Sequence, residues 1–155
     1  MANGFKQLRQ RWLRWAWITP RYMKRLPLIP RNRWLNIFLH RYTGPDWRDE
    51  GLHDHPWDSI SIRLWGNYLK EYRPATRESL DWIVDDGYYP VKACFLPRVV
   101  RRKAEDMHAI MDGAWPVWTL FVTFRRRRNW GFYTKDGWRP ANEVIAARDY
   151  SGAAQ

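Results

Sequence analysis

The chain has 155 residues, a net charge of +11 and a hydrophobic fraction of 45%, with 12 tryptophans and 8 tyrosines. This length corresponds to one domain, and the apolar fraction excludes a disordered chain. The single cysteine, Cys94, excludes an internal disulfide and a cysteine-based zinc cluster. The sequence has no apolar run of membrane-spanning length and no signal-peptide core near its start, so we expect a cytoplasmic protein.

The first 33 residues are predicted to form a basic segment distinct from the rest. Apolar residues recur at helical spacing from Phe5 to Trp17 among basic ones, which predicts an amphipathic helix. Three prolines after it predict an irregular connector: Pro20, Pro27 and Pro30. The helix would either pack on its own domain or bind a membrane or nucleic acid.

From residue 34 to residue 150 the sequence predicts short β-strands joined by turns. Polar and apolar residues alternate along the chain, and the Asp86-Gly87 and Asp136-Gly137 pairs are typical of tight hairpin turns. The predicted strands are Trp34–His40, Trp57–Trp65, Tyr68–Tyr72, Leu80–Val84, Tyr88–Leu96, Val99–Ala104, Met107–Met111, Val117–Phe124, Trp130–Thr134 and one from Trp138 onward. This many short strands favours a sandwich or a small barrel.

The pattern His53-Asp54-His55 carries the most chemical information. On a strand, residues two apart point to the same face, so the two imidazoles would converge on one point, which suits a metal ion. His108 lies in a later predicted strand and is the natural third ligand. Three imidazoles leave coordination positions open for water, substrate or oxygen. The alternative for the pair is a polar strand edge beside Pro56.

The stretch Leu52–Asp58 with the later Gly66 resembles the first cupin motif, and the stretch ending at His108 resembles the second. Together with Trp118-Thr119-Leu120 and Trp130-Gly131-Phe132, these stretches are similar to small uncharacterised cupin-like proteins of bacteria and their phages. The resemblance covers roughly residues 34–140. It implies a mainly all-β fold, a double-stranded β-helix barrel. The predicted N-terminal helix lies outside the resemblance. The resemblance also implies a divalent metal, with iron(II) favoured and manganese, nickel and zinc as alternatives.

The sequence departs from the cupin pattern in both motifs: the glycine and proline of the second motif are poorly matched, and the first motif lacks its glutamate. The cupin motif would place a glutamate near Ser59 or Ile60, and neither residue can replace it. Asp58 lies one position earlier. It either reaches the metal after a change of strand phase at Pro56, orients a ligand, or caps a turn.

Several side chains are candidates to line the metal pocket. An arginine there would bind a carboxylate or phosphate by a two-pronged contact, and the alternative for each arginine is surface charge. The candidates for substrate binding are Arg63, Arg101, Arg102 and Tyr68. Other residues that could shape the pocket are Ser59, Ser61, Tyr72, Trp118 and Thr119, although the serines could also face water. For His40, the fourth histidine, a structural role is favoured.

Two classes of function remain open. A three-histidine site resembles that of thiol dioxygenases, which favours a metal-dependent enzyme that oxidises a small anionic molecule. The alternative is a binding module without turnover, which would hold a ligand, a nucleotide or a partner. Nucleic acid could bind through the basic patches, including Arg125–Arg128. A homodimer is a further expectation, because cupins often pair.

Overall fold

A computed structural model of the chain describes residues 14–19, 22–46, 52–74, 81–83, 89–134 and 137–152. The described part contains twelve strands and one helix. In chain order they are β1 (Ala16–Thr19), β2 (Met23–Pro27), β3 (Asn36–Tyr42), β4 (Trp57–Trp65), β5 (Leu69–Pro74), β6 (Asp81–Ile83), β7 (Tyr89–Phe95), β8 (Val99–Arg102), β9 (Ala109–Gly113), β10 (Val117–Arg126), β11 (Gly131–Thr134), β12 (Gly137–Pro140) and α1 (Ala141–Gly152). The prediction of a mainly β fold is confirmed.

Two sheets face each other, and every strand pairing is antiparallel. The larger sheet has the order β1-β2-β3-β10-β4-β8, and the smaller has the order β6-β7-β5-β9. Strands β11 and β12 form a separate hairpin. The main core cluster draws residues from both sheets, so it lies between them: Tyr22, Met23, Tyr42, Leu69, Leu96, Val100, Ile110 and Val117.

Strand β10 shows how the alternating sequence produces the layers. From Val117 to Thr123 every second residue is buried, because successive side chains of a strand point to opposite faces. The register places His40 of β3 opposite Thr119, and Ser59 of β4 opposite Thr123. All four polar side chains are buried. The inner face of the large sheet is therefore polar where its three central strands meet, and the candidate site lies there.

Gly66 ends β4 in a conformation that other residues rarely adopt. Its φ is +102°, and a Cβ atom at this position would lie 2.9 Å from Cγ2 of Val117. A side chain would therefore add backbone strain and a clash with the core. Glycine is required at this turn, which leads the chain from the large sheet into the small one.

The N-terminal part differs from the prediction. Most of the predicted helix lies outside the described residues, but Ala16 and Trp17, at its end, belong to β1. Strand β2 occupies part of the predicted irregular connector and pairs with β3, with Leu26 opposite Leu39. The large sheet thus begins before residue 34. Aromatic and β-branched residues in β1 favour extended structure over a helix.

The C-terminal part holds the only described helix, which the sequence analysis missed. The strand predicted from Trp138 onward ends at Pro140, and α1 begins at Ala141. Ala141 and Val144 pack against Phe132 of β11, so tertiary packing supports the helix. The helix ends at Gly152. Helix α1 is neither long nor apolar enough to cross a membrane.

Candidate metal centre

Three histidines from two distant segments meet at the polar interior. His53 and His55 lie in the irregular segment just before β4, and His108 lies just before β9. One ring nitrogen from each residue lies within 4.8 Å of the other two. The three ring centroids are 5.0 to 5.1 Å apart. The structure therefore brings together the three histidines proposed as ligands. Their segments were expected to be strands, but all three histidines lie just outside the regular strands.

Backbone hydrogen bonds hold two of these histidines opposite each other. The amide of His53 donates to the carbonyl of His108 at 3.1 Å, and the amide of His108 donates back at 3.0 Å. On its other side His53 forms a bridge with Phe132 of β11. The positions of both Cα atoms are thus set by main-chain pairing rather than by the imidazoles themselves.

Asp54, between the two first histidines, anchors this segment to the β11–β12 hairpin. Its side chain is 1% exposed. Its Oδ1 accepts from the amide of Gly131 at 2.6 Å, and its Oδ2 accepts from Trp138 Nε1 at 2.9 Å. Oδ2 also forms an ion pair with Arg128 at 2.7 Å. The sequence analysis passed over Asp54, although a carboxylate between two candidate ligands was a visible signal.

The electrostatic environment keeps two of the imidazoles uncharged. Burial lowers the pKa of His55 well below its usual value, and the nearby His53 and Arg102 lower it further. Burial also lowers the pKa of His108 in the same way, with Arg102 as the next cause. Uncharged imidazoles offer the lone pairs that metal ions require.

The nitrogen positions fit a shared metal ion. His108 Nδ1 lies 3.3 Å from the carbonyl oxygen of Asp106, and donation there would leave Nε2 as the ligand atom. Nε2 of His55 and Nε2 of His108 are 3.4 Å apart. Two nitrogens bound to one tetrahedral ion at about 2.0–2.1 Å would also be about 3.4 Å apart. The residues present therefore suit a divalent metal with imidazole ligands.

A small cavity of about 50 Å³ adjoins the three histidines. It has room for a few water-sized groups, since one water needs about 10–15 Å³. Its other polar lining residues are Arg25, His40, Tyr42, Ser59, Ser61 and Arg102. Burial raises the pKa of Tyr42 to about 12, so its hydroxyl stays protonated and is a donor.

His40 lines the same cavity but does not join the cluster, which contains only the three other histidines among the described residues. Arg25 Nε donates to His40 Nε2 at 3.1 Å. Because an arginine cannot accept a hydrogen bond, His40 Nε2 must be unprotonated and the ring neutral. Burial lowers the pKa of His40 well below its usual value, and its ring stacks on Phe121 at 4.7 Å.

Of the four residues predicted to bind substrate, Arg102 lines this cavity and three do not. Arg101, its neighbour on β8, points to the other face of the strand and is exposed. The Arg63 guanidinium donates to the carbonyl of Leu96 at 3.1 Å, and the Tyr68 hydroxyl donates to Asp112 at 3.1 Å. These two contacts give both side chains structural roles.

Asp58 is turned away from the histidines. Its Oδ1 accepts from the amide of Ala104 at 2.8 Å, and the carboxylate forms an ion pair with Arg127 at 2.7 Å. The hydrogen bond from Arg127 lowers the pKa of Asp58. The alternation of β4 directs Ser59 inward and therefore Asp58 outward. Of the roles considered for Asp58, the structure supports the turn cap and not the ligand.

Glu71 is a buried charge that the sequence analysis missed. Its side chain is 0% exposed and forms ion pairs with Arg102 and with Arg73. It is in phase with the buried Leu69 on β5, so a carboxylate stands where the alternation expects an apolar residue. A carboxylate at a position where the alternation expects an apolar residue could have identified Glu71 from the sequence.

A β fold with a three-histidine cluster defines this chain as a candidate metalloprotein, and the solved structures similar to it include cupins. No protein-family model matches the chain, and no curated protein matches it. KdgF from Halomonas sp. is 15% identical and has a TM-score of 0.46, and the match covers 74% of this chain and 89% of that protein. A cupin domain from Bordetella pertussis Tohama I is 12% identical with a TM-score of 0.41, and the match covers 72% of this chain and 100% of that one.

Hydroxypropylphosphonic acid epoxidase from S. wedmorenis is 14% identical and has a TM-score of 0.45. The match covers 66% of this chain and 50% of that enzyme, so this chain spans about half of the enzyme's length. At such low identities the likeness concerns the fold alone. What this chain binds has to follow from its own residues.

We expect the two aspartates near the cluster to respond differently to the same substitution. Asp54→Asn leaves Arg128 without its buried partner, and should lower the free energy of unfolding by about 2–4 kcal/mol. Divalent-metal affinity should fall about 10- to 100-fold because the ligand-bearing segment loses its anchor. Asp58→Asn, whose ion pair is solvent-exposed, is the matched control and should change neither. Urea unfolding measures the free energy of unfolding, and competition with a chelating dye measures the metal affinity. Equal metal loss in the two variants would contradict these roles.

We also expect the metal-free protein to lose stability as the pH falls below about 6.5. The pKa values of His40, His55 and His108 are lowered in the folded chain, so unfolding takes up protons once the unfolded histidines titrate. Each histidine contributes at most about 1.4 kcal/mol per pH unit. Urea unfolding with chelator at about pH 7.5 and about pH 5.5 measures the loss. His40→Gln and His55→Gln should each reduce it, and an unchanged stability in the parent protein would show that the folded histidines are protonated.

Proposed function

We propose that this chain is a metal-binding cupin in which His53, His55 and His108 hold a divalent metal ion. The convergence of ring nitrogens from three histidines, two buried and one half-buried, beside a small cavity is the observation that carries the proposal. Imidazole suits iron, nickel and zinc, and three protein ligands leave positions open for small ligands. Iron(II) is favoured because a three-histidine site resembles that of thiol dioxygenases.

The charges around the cavity favour an anionic ligand. Arg25 and Arg102 both line it, while burial lowers the pKa of His55 and His108 and keeps these two rings without charge. Glu71 balances Arg102 and shares its carboxylate with Arg73, so the positive charges are in excess. A bound dication would increase that excess. A carboxylate or phosphate is therefore the proposed chemical class of the ligand.

An open groove of about 390 Å³ supplies an access route to the metal site. Arg102 and His108 line both the groove and the inner cavity, so the two spaces meet at these side chains. The Arg102 side chain is 8% exposed. In this position Arg102 can hold the acidic group of a molecule whose reactive end enters the cavity.

We further propose that the protein is an enzyme. A redox-active ion at the three histidines would supply dioxygen chemistry, and a redox-inert ion would act as a Lewis acid. Arg102 would bind and orient the anion, and the small size of the cavity would limit the number of water molecules beside it. The alternative is a binding module without turnover, and the small size of the cavity favours it, since only a few water-sized groups fit beside the metal.

Metal content should separate the three ligands from the fourth histidine. Anaerobically purified protein should contain about one metal ion per chain by mass spectrometry. His53→Ala, His55→Ala and His108→Ala should each lose most of it, because each removes one of only three protein ligands. His40→Ala is the matched control from the same cavity and should keep it. Equal metal content in all variants, or no uptake of iron, manganese, nickel or zinc by the parent protein, would overturn the proposal.

The neighbouring arginines of β8 should differ in anion binding. With metal-loaded protein, Arg102→Gln should weaken the binding of acetate, oxalate or inorganic phosphate about 10- to 150-fold, the value of a charge-assisted hydrogen bond. Arg101→Gln removes the same charge from an exposed position that lines the outer groove but not the cavity, and should weaken binding much less than Arg102→Gln. Calorimetric titration measures both, and circular dichroism checks the fold. Equal losses would place the anion outside the cavity.

A further inference from the structure

The turn between β2 and β3 holds an exposed tryptophan next to two arginines. Trp34 is 55% exposed, although it is one of the largest apolar side chains. The guanidinium carbon of Arg33 lies over its ring at 4.7 Å from the centroid, and that of Arg125 lies at 5.3 Å. Both distances are within the range of cation–π contacts. Arg33 precedes Trp34, but Arg125 comes from the end of β10, so the fold assembles this group.

The side chain of Asn32 gives the turn a fixed shape. Its Oδ1 accepts from the amides of Trp34 and Leu35 at 2.9 and 3.0 Å, and its Nδ2 donates to the carbonyl of Leu35 at 2.7 Å. The side chain of Asn36 bonds to the main chain of Asn32 in both directions, at 3.0 and 2.8 Å. Trp34 is therefore exposed on an ordered support, which lowers the entropy lost when a ligand binds.

The arginine run beside Trp34 divides into two pairs. Arg127 pairs with Asp58, and Arg128 pairs with the buried Asp54. Within the described part of the chain, Arg125 and Arg126 form no ion pair. The first two arginines of the run thus keep their charge at the surface, with Arg125 next to the tryptophan, and the last two have a structural role.

We propose that Trp34, Arg33 and Arg125 form a binding site for single-stranded nucleic acid, separate from the metal cavity. A base would replace a guanidinium on the face of the Trp34 ring, and the displaced guanidinium would contact a flanking phosphate. Stacking combined with basic contacts to the backbone is what such sites use. The net charge of +11 favours the same ligand at long range. An anionic lipid surface fits less well, because inserting the ring would carry two guanidiniums toward the apolar layer.

Fluorescence anisotropy with a labelled oligothymidine of about 12 nucleotides tests the site on the full chain. Trp34→Ala should weaken binding about 5- to 100-fold, and Trp34→Tyr, which keeps a stacking ring, should retain most of the affinity. Arg33→Ala and Arg125→Ala should each reduce the slope of log affinity against log salt by about 0.7. Arg139→Ala, which removes one charge already paired with Glu143, is the matched control and should have a smaller effect.

Circular dichroism and metal content should be unchanged in the Trp34 variants, since this side chain is exposed and remote from the cavity lining. Three results would overturn the inference. The first is no binding by the parent protein at low salt. The second is a loss in Trp34→Ala no greater than in Arg139→Ala. The third is a dependence on Trp34 for vesicles of phosphatidylglycerol but not for the oligonucleotide, which would assign the site to a membrane surface.

Discussion

The mutual backbone hydrogen bonds of His53 and His108 connect two segments that are far apart in the sequence, and the candidate metal centre depends on them. They set the separation of the two Cα atoms, so the imidazoles need only adopt suitable rotamers to converge. Asp54 secures the same segment from its other side through Gly131. At Gly131 a Cβ atom would lie 2.1 Å from the carbonyl oxygen of Arg139, so the two strands of the hairpin can approach each other this closely only with glycine.

Part of the protein's interior is polar, beside an apolar core cluster. A buried carboxylate is tolerated only when it is paired, and Glu71 meets this condition through Arg102 and Arg73. A buried histidine is tolerated when it is neutral, which the hydrogen bond from Arg25 ensures for His40. The result is a set of ordered donors and acceptors around a small cavity.

The partners of the basic residues decide what each of them does. Arg102 is enclosed with Glu71 and faces the cavity, while Arg128 ties the metal-binding segment to the hairpin. Arg125 keeps its charge at the surface beside Trp34. Net charge alone could not separate these roles, because a guanidinium in an ion pair and one facing solvent count equally in a composition.

The sequence by itself determined the mainly β fold, the limits of β4 and which residues could bind a metal, because alternation and residue type can be read from neighbouring positions. Only the tertiary structure decided that Asp54 anchors the site while Asp58 faces outward, and that Arg102 rather than Arg101 lines the cavity. It also decided that Ala141–Gly152 is a helix. The first two outcomes depend on which distant strands pair and in what register, and the helix depends on packing against Phe132. Neither strand register nor distant packing is encoded in a local sequence pattern.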